Sequence, residues 1–533
     1  MKKIIFTFFA CVSIKSAISQ ELDKIIKGHL NGSFENYSQY YLKDDKIDAT
    51  VPPDKIGSNS FLKLDYTSGK FTAGIQYESY LPSILGFYSN PINQSKLINK
   101  YFKYTENNFS VQVGDFYEQF GSGLIFRSFE NRQIGINNAL EGVNIYVEPT
   151  EFIKIKALYG RTRKLFDYAN SMVRGLDAEI DITKMFGKKN KEYATNIAIG
   201  GSYVGRFQDY TGPLDDYPTT VDAYAARLDI TTTNFTGNIE YAVKDRDPHL
   251  INNNSFEKGK ALLINAAYTK NNLGINFTGR ALYNMDFRSE RNTEIATLLA
   301  VNYLPALTKQ HDYLTSNIYV YNPQIAGETG FQTDVFYNIK PNTKLGGKYG
   351  IKIAANFASY YSLQDNKNLL SAADNKFFTD ANLEIKKKWS KKLETTIALQ
   401  KIFFNSSVII AAGKENVNAD VIAVGTLYKF ASQKSVRLKL EHLSTKEDLG
   451  NWASGIAEFS LSSPYTFYIS DLYNYGVTGN HYYNLGASVT KNATRFSLAF
   501  GKQRAGLFCV GGVCRFVPAA YGFTATLTTS FGN

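Results

Sequence analysis

Cysteine, methionine, proline and tryptophan are all scarce in this chain of 533 residues, at 3, 4, 13 and 2. Beyond the N-terminal segment no apolar run reaches 18 residues, which excludes transmembrane helices. The five histidines, His29, His249, His311, His442 and His481, show no HExxH spacing and no ligand pair. There is no G-x-S-x-G elbow and no phosphate-cradling loop, and the carboxylates at 44–48 and 209–217 lack calcium-loop spacing. The expectation is a protein that is not an enzyme and needs no metal or cofactor.

What is abundant is aromatic and export-directed. The opening MKKIIFTFFACVSIKSAISQ has a basic start, a short apolar run and Ala17-x-Ser19, the pattern of a signal peptide spanning 1–19. Its removal takes Lys2, Lys3 and Lys15 and lowers the formal charge from +11 to +8, too mild for a nucleic-acid partner and only a weak bias toward anions. Tyr and Phe number 37 each, a richness suited to strands and to interfacial belts.

The dominant period is two. Phe71, Ala73, Ile75 and Tyr77 alternate with Thr72, Gly74, Gln76 and Glu78. Ile239, Tyr241 and Val243 alternate with Asn238, Glu240 and Ala242, and Val436, Leu438 and Leu440 with Arg437, Lys439 and Glu441. Alternation over 8–10 residues marks strands. Short polar turns recur near 67, 106, 149, 189, 232, 270, 341, 390, 433, 464 and 492, mostly 30–50 residues apart. Each interval holds two strands and one longer connection. The eleven turns and twelve long connections imply about 24 strands, an even number. The fold class is therefore all-β: residues 20–533 form a single large antiparallel transmembrane barrel, with short periplasmic turns and long extracellular loops, in a bacterial outer membrane. The 284–326 connection is expected to be a loop, helical in part, or to conceal another hairpin. The first strand begins close to the signal segment, leaving no room for an N-terminal plug.

The last strand alternates Tyr521, Phe523, Ala525, Leu527 and Phe531 with Thr524, Thr526, Thr528 and Ser530. It resembles the C-terminal signal read by the outer-membrane assembly machinery. Cys11 leaves with the signal, and the two remaining cysteines flank Gly511-Gly512. A Gly-Gly hairpin turn places Cys509 opposite Cys514 as a close pair, which predicts a disulfide at an outer loop tip.

Residues 114–143, GDFYEQFGSGLIFRSFENRQIGINNALEGV, together with 506–523, GLFCVGGVCRFVPAAYGF, resemble an uncharacterised family of Bacteroidota outer-membrane barrels that carries a domain-of-unknown-function label. The resemblance spans most of the chain. It implies a porin-like barrel in the outer membrane and carries no catalytic residues.

After Gly121-Ser122-Gly123, the residues Arg127, Glu130, Arg132, Asn137, Asn138 and Glu141 are candidates for a lumen constriction, or else form an ordinary surface loop closed by its own salt bridges. Alternation assigns Glu78, Glu118, Lys154, Lys156, Arg227 and Arg280 to the lumen wall, with Gln112 and Asp229. Lys43, Lys46, Arg288 and Arg291 are candidates to meet lipopolysaccharide. Two functions fit: a passive channel for small polar solutes, or a barrel subunit or scaffold of a larger complex for secretion, surface assembly or protein insertion. The partners expected are outer-membrane lipid and lipopolysaccharide, the assembly machinery and other outer-membrane proteins.

Overall fold

The computed structural model describes residues 28–88, 91–187, 194–210, 217–295, 298–365, 368–411, 415–462, 464–510 and 513–532. The expected signal segment and the Gly511-Gly512 turn tip lie outside the described residues. The wall is a single sheet of 24 strands, each antiparallel to the next.

In chain order they are β1 (His29–Leu42), β2 (Ile56–Ser68), β3 (Phe71–Tyr80), β4 (Gln94–Glu106), β5 (Phe109–Phe116), β6 (Leu140–Thr150), β7 (Ile153–Lys164) and β8 (Met172–Asp181). Next come β9 (Thr195–Phe207), β10 (Thr220–Thr232), β11 (Phe235–Lys244), β12 (Gly259–Lys270), β13 (Leu273–Tyr283), β14 (Gly327–Ile339), β15 (Ile351–Asp365) and β16 (Asn368–Lys388). The circuit finishes with β17 (Leu393–Phe404), β18 (Val417–Ala431), β19 (Lys434–Ser444), β20 (Trp452–Ser462), β21 (Tyr465–Asn474), β22 (Asn484–Lys491), β23 (Thr494–Gln503) and β24 (Ala520–Gly532).

β1 pairs with β24 from Asn31↔Gly532 to Leu42↔Tyr521, so the sheet closes and no wall edge stays unpaired. Nine of the eleven expected short turns are links of two to four residues where the polar punctuation places them; the β14–β15 link (340–350) and the β8–β9 link (182–194), part of which lies outside the described residues, are longer. On the other side, the link between β15 and β16 departs from expectation. Those strands run on past the wall as a hairpin, with register shifts after Tyr360, instead of ending in a long loop. β13 pairs directly with β14, so the 284–326 segment is a loop. Among its described residues it carries one 3-10 turn, Thr315–Asn317, and a bridge between Arg288 and Ala300, and no barrel strand.

The period of two sorts side chains between lipid and lumen. Phe102, Tyr159, Ile239, Ile397, Leu440, Ile469 and Leu498 stand exposed on the outer face. A closed wall with an apolar band all round is the surface of a membrane-spanning barrel, because the ladders close on themselves and leave no open sheet edge in the lipid. At a strand spacing of ~4.8 Å and a tilt of ~40° a circular barrel of this size is roughly 45–50 Å across. Eight strands make a barrel that its own side chains fill; three times that number cannot be filled this way. Something else must cover the inner wall.

Candidate functional site

Inward-facing residues are buried near the loop end of the strands and uncovered near the turn end. On β11, Lys244, Ala242 and Glu240 are buried, Asn238 is half-buried and Thr236 is exposed. On β17, Ile402, Gln400 and Ala398 are buried, while Thr396 and Glu394 are half-buried. The cover is made by two loops that fold inward.

The first is 117–139, between β5 and β6. Gly121 and Gly123 take positive φ of 50° and 88°, which glycine adopts without strain. A Cβ on Gly121 would also press on the Glu240 carboxylate, at 2.7 Å. That carboxylate accepts the Ser122 backbone N–H at 2.7 Å and so holds the bend against β11. The bend sets Phe120, Leu124, Ile125 and Phe126 against Leu158, Val173, Val204, Val221, Ala223 and Ala242 of the wall. These side chains are almost wholly buried, and each of the four from the loop contributes on the order of 1.5–3 kcal/mol to holding it in place.

The six constriction candidates do not form one cluster. Arg132 donates to Glu35 on β1 at 2.8 Å, to Gln76 on β3 at 3.1 Å and to Glu130 at 3.2 Å, and its guanidinium lies 4.8 Å from the centre of the Phe61 ring. Glu130 also accepts from Gln76 at 2.7 Å and from Asn137 at 3.2 Å. Arg127 stacks over Tyr303 and Phe129. Asn138 is buried and donates to the carbonyls of Arg127 and Ala300, splicing this loop to the second one. Glu141 sits elsewhere. It belongs to β6, opposite Asp115 and Arg161, and shares the outer face with Val143 and Ile145, where it accepts from Arg161 at 2.7 Å.

The lumen-wall candidates face inward, and each is paired. Arg163 grips Glu78. Lys156 reaches Glu118 at 2.8 Å, with Glu118 lying on the first loop just past β5. Lys154 meets Glu179 at 3.5 Å, Arg227 meets Asp177 at 2.7 Å, and Arg280 meets Glu328 at 2.7 Å. Asp229 accepts from Asn238, and Gln112 donates to the Asp115 carbonyl.

The second cover is the 284–326 loop, which follows the inner wall from β13 to β20. Arg280 donates to the Pro305 carbonyl and Tyr360 to the Leu307 carbonyl. His311 meets Asp380 at 2.7 Å, Tyr313 donates to Glu384 at 3.0 Å, and both the N–H and the hydroxyl of Thr315 donate to Glu441. Ile318, Tyr319 and Tyr321 pack with Tyr360, Phe378, Phe404, Val421 and Trp452. Burial, reinforced by the Glu328 carboxylate, pushes the Tyr321 hydroxyl far above its ordinary value, so it stays a donor. Arg288 and Arg291 are buried within this loop, Arg288 against Asp286 and Arg291 against Gln208 and Pro218. They are therefore not placed to meet a lipid surface, whereas Lys43 and Lys46 are exposed. Beside them Arg206, Lys244, Asp247, His249 and Asp286 form a buried charged knot.

A third element spans the mouth. Residues Gly506–Val510 and Val513–Val517 form the hairpin between β23 and β24, with Cys509 bonded to Cys514. It is more than a free surface tip. Arg515 donates to the carbonyls of Gly86 and Gln133, and the Cys514 sulfur lies 3.8 Å from the Tyr321 carbonyl oxygen. The hairpin thereby rests on both inward loops.

One sector stays uncovered along its whole height. From β22 to β24 the inward residues are Asn484, Gly486, Ser488 and Thr490; Arg495, Ser497, Ala499, Gly501 and Gln503; and Ala520, Gly522, Thr524, Thr526, Thr528 and Ser530. None of them is buried, even at the loop end. Nothing in the sequence analysis singled this strip out, although the run of hydroxyls in β24 is visible there.

Residues 1–531 match one family model, and the chain belongs to that family, a family of unknown function (DUF6029). No curated protein matches the sequence. Among solved structures the chain is similar to the translocation pore of the P pilus usher PapC, at 8% identity and a TM-score of 0.44 over 94% of this chain and 99% of that one. It is also similar to OccAB4 of Acinetobacter baumannii, at 10% and 0.36 over 95% and 99%. A BenF-like porin from Pseudomonas fluorescens Pf-5 follows at 12% and 0.36, over 79% and 98%. Similarity this distant says nothing of what this barrel carries.

Proposed function

We propose that this member of DUF6029 is a porin-like channel of the bacterial outer membrane that passes small polar solutes passively, with its short turns in the periplasm and its loops outside. The observation that carries the reading is the uncovered strip along β22–β24. The two inward loops cover the loop-side half of the wall from β3 round to β21, yet along this strip the inner surface stays open from turn end to loop end. The closed wall and its apolar outer band support insertion in the membrane. Purified protein inserted into planar bilayers should give discrete conductance steps, and Ser488→Trp and Thr526→Trp should shrink them. A folded, heat-modifiable preparation that gives no steps contradicts the channel.

The apolar packing that fixes both inward loops supports a second reading, a non-conducting subunit of a larger outer-membrane complex. Extraction from the native membrane in mild detergent separates the two: stoichiometric companions on a silent barrel favour the scaffold.

A further inference from the structure

From the chemistry of the uncovered strip we infer that the channel selects neutral, hydroxyl-rich solutes, sugars and short oligosaccharides, over charged solutes of the same size. This rests on the channel reading above. Of the fifteen inward side chains from β22 to β24, Arg495 alone is charged, and it sits at the turn end. The neighbouring inward carboxylate, Glu35 on β1, is already held by Arg132 at 2.8 Å. On the other flank, β21 presents Thr466, Tyr468 and Ser470, with Tyr468 donating to Asn484 at 3.0 Å.

The rest of the strip is hydroxyl, amide and backbone. Ser497 and Thr526 pair with each other across β23 and β24. Ser488, Thr524 and Thr528 have no side-chain partner among the described residues. A hydroxyl offers one donor and two acceptor sites, as does each hydroxyl of a sugar, so a row of them can replace the water that a sugar sheds. An ion pressed against the same row gains no countercharge for the hydration it loses. Elsewhere on the wall much of the lumen charge is matched within it: Lys154 with Glu179, Lys156 with Glu118 and Lys386 with Glu394. Glycines at 486, 501 and 522 keep the strip shallow, and at each of them an added Cβ would meet a neighbouring strand or side chain.

The test uses the full chain in proteoliposomes and compares entry of glucose, gluconate and glucosamine. Glucose should enter at least about fivefold faster than either charged analogue. Thr524→Asp should raise glucosamine entry relative to gluconate, and Ser488→Asp should do the same if the first variant folds poorly. Equal entry of all three solutes, or a preference for one sign of charge in the unaltered protein, overturns the selectivity while leaving the channel standing. Entry of none of them into vesicles that hold folded protein overturns the channel and the selectivity with it.

Discussion

Arg163 and Glu78, 85 positions apart, form a two-pronged ion pair at 2.7 and 2.6 Å inside the barrel, with both side chains buried. The pair joins the loop ends of β7 and β3 across the three strands that separate them in chain order, beneath the first inward loop. Tyr80 and Gln76 add hydrogen bonds to the same carboxylate. Arg163→Ala leaves a buried carboxylate without its partner, which costs about 3–5 kcal/mol. The temperature at which the barrel loses heat-modifiable migration should fall, and adding Glu78→Gln should restore part of the loss. An unchanged transition means that the pair is solvated and the cover is looser than described.

The Cys509–Cys514 bond closes a small ring, worth about 2 kcal/mol of loop entropy at most. Its larger effect is to keep the hairpin stiff enough to reach Gly86, Gln133 and Tyr321. Reduction, or Cys509→Ser with Cys514→Ser, should leave barrel stability nearly unchanged. It should expose Arg515 to trypsin and raise solute entry. Trypsin resistance equal to that of the oxidised protein would show that the hairpin needs no bond.

Acid should loosen the charged knot at the loop end. Burial holds His249 below its ordinary value, so the native loop keeps it neutral where an unfolded loop takes up a proton. Burial alone would raise Asp247, but Lys244 and Arg206 outweigh it and hold the carboxyl below its ordinary range. Both shifts act in the same direction. Stability contributed by His249 is present above about pH 6.5 and declines as pH falls toward its depressed native value; that of Asp247 is lost below about pH 4. Hydrogen exchange of 245–258 and 284–292, corrected for intrinsic rate, should speed up between pH 7.5 and 5. His249→Gln should flatten that change.

The barrel itself is legible in the sequence because two strong local signals fix it. Side chains alternate between lipid and water at every strand, and polar turns such as Ser68–Phe71 and Lys491–Thr494 punctuate the wall at short range. The Cys509–Cys514 pairing is legible for the same reason, a two-residue glycine turn. The cover is not, because it depends on contacts far apart in sequence, such as Asn138 with Ala300 and Thr315 with Glu441. A trace of it exists all the same. Ala223, Ala242, Ala261, Val204 and Val221 face inward where alternation alone leads one to expect polar residues. Apolar residues on both faces near the loop end signal that something covers the inner one. Glu141 stands outside the lumen because β6 begins one residue before it and turns its side chain to the outer face. Arg288 and Arg291 look like solvated loop charges until the loop is seen to fold inward.

The most direct measurement is labelling of single introduced cysteines by a membrane-impermeant maleimide, in intact protein whose native disulfide does not react. Thr524→Cys and Ser488→Cys should label rapidly, while Ala223→Cys and Ala242→Cys, at wall positions with no exposed surface, should stay unlabelled until the chain is unfolded. Labelling of Ala242→Cys as fast as Thr524→Cys, or of neither strip position, would contradict a lumen covered by its loops and open along one neutral wall.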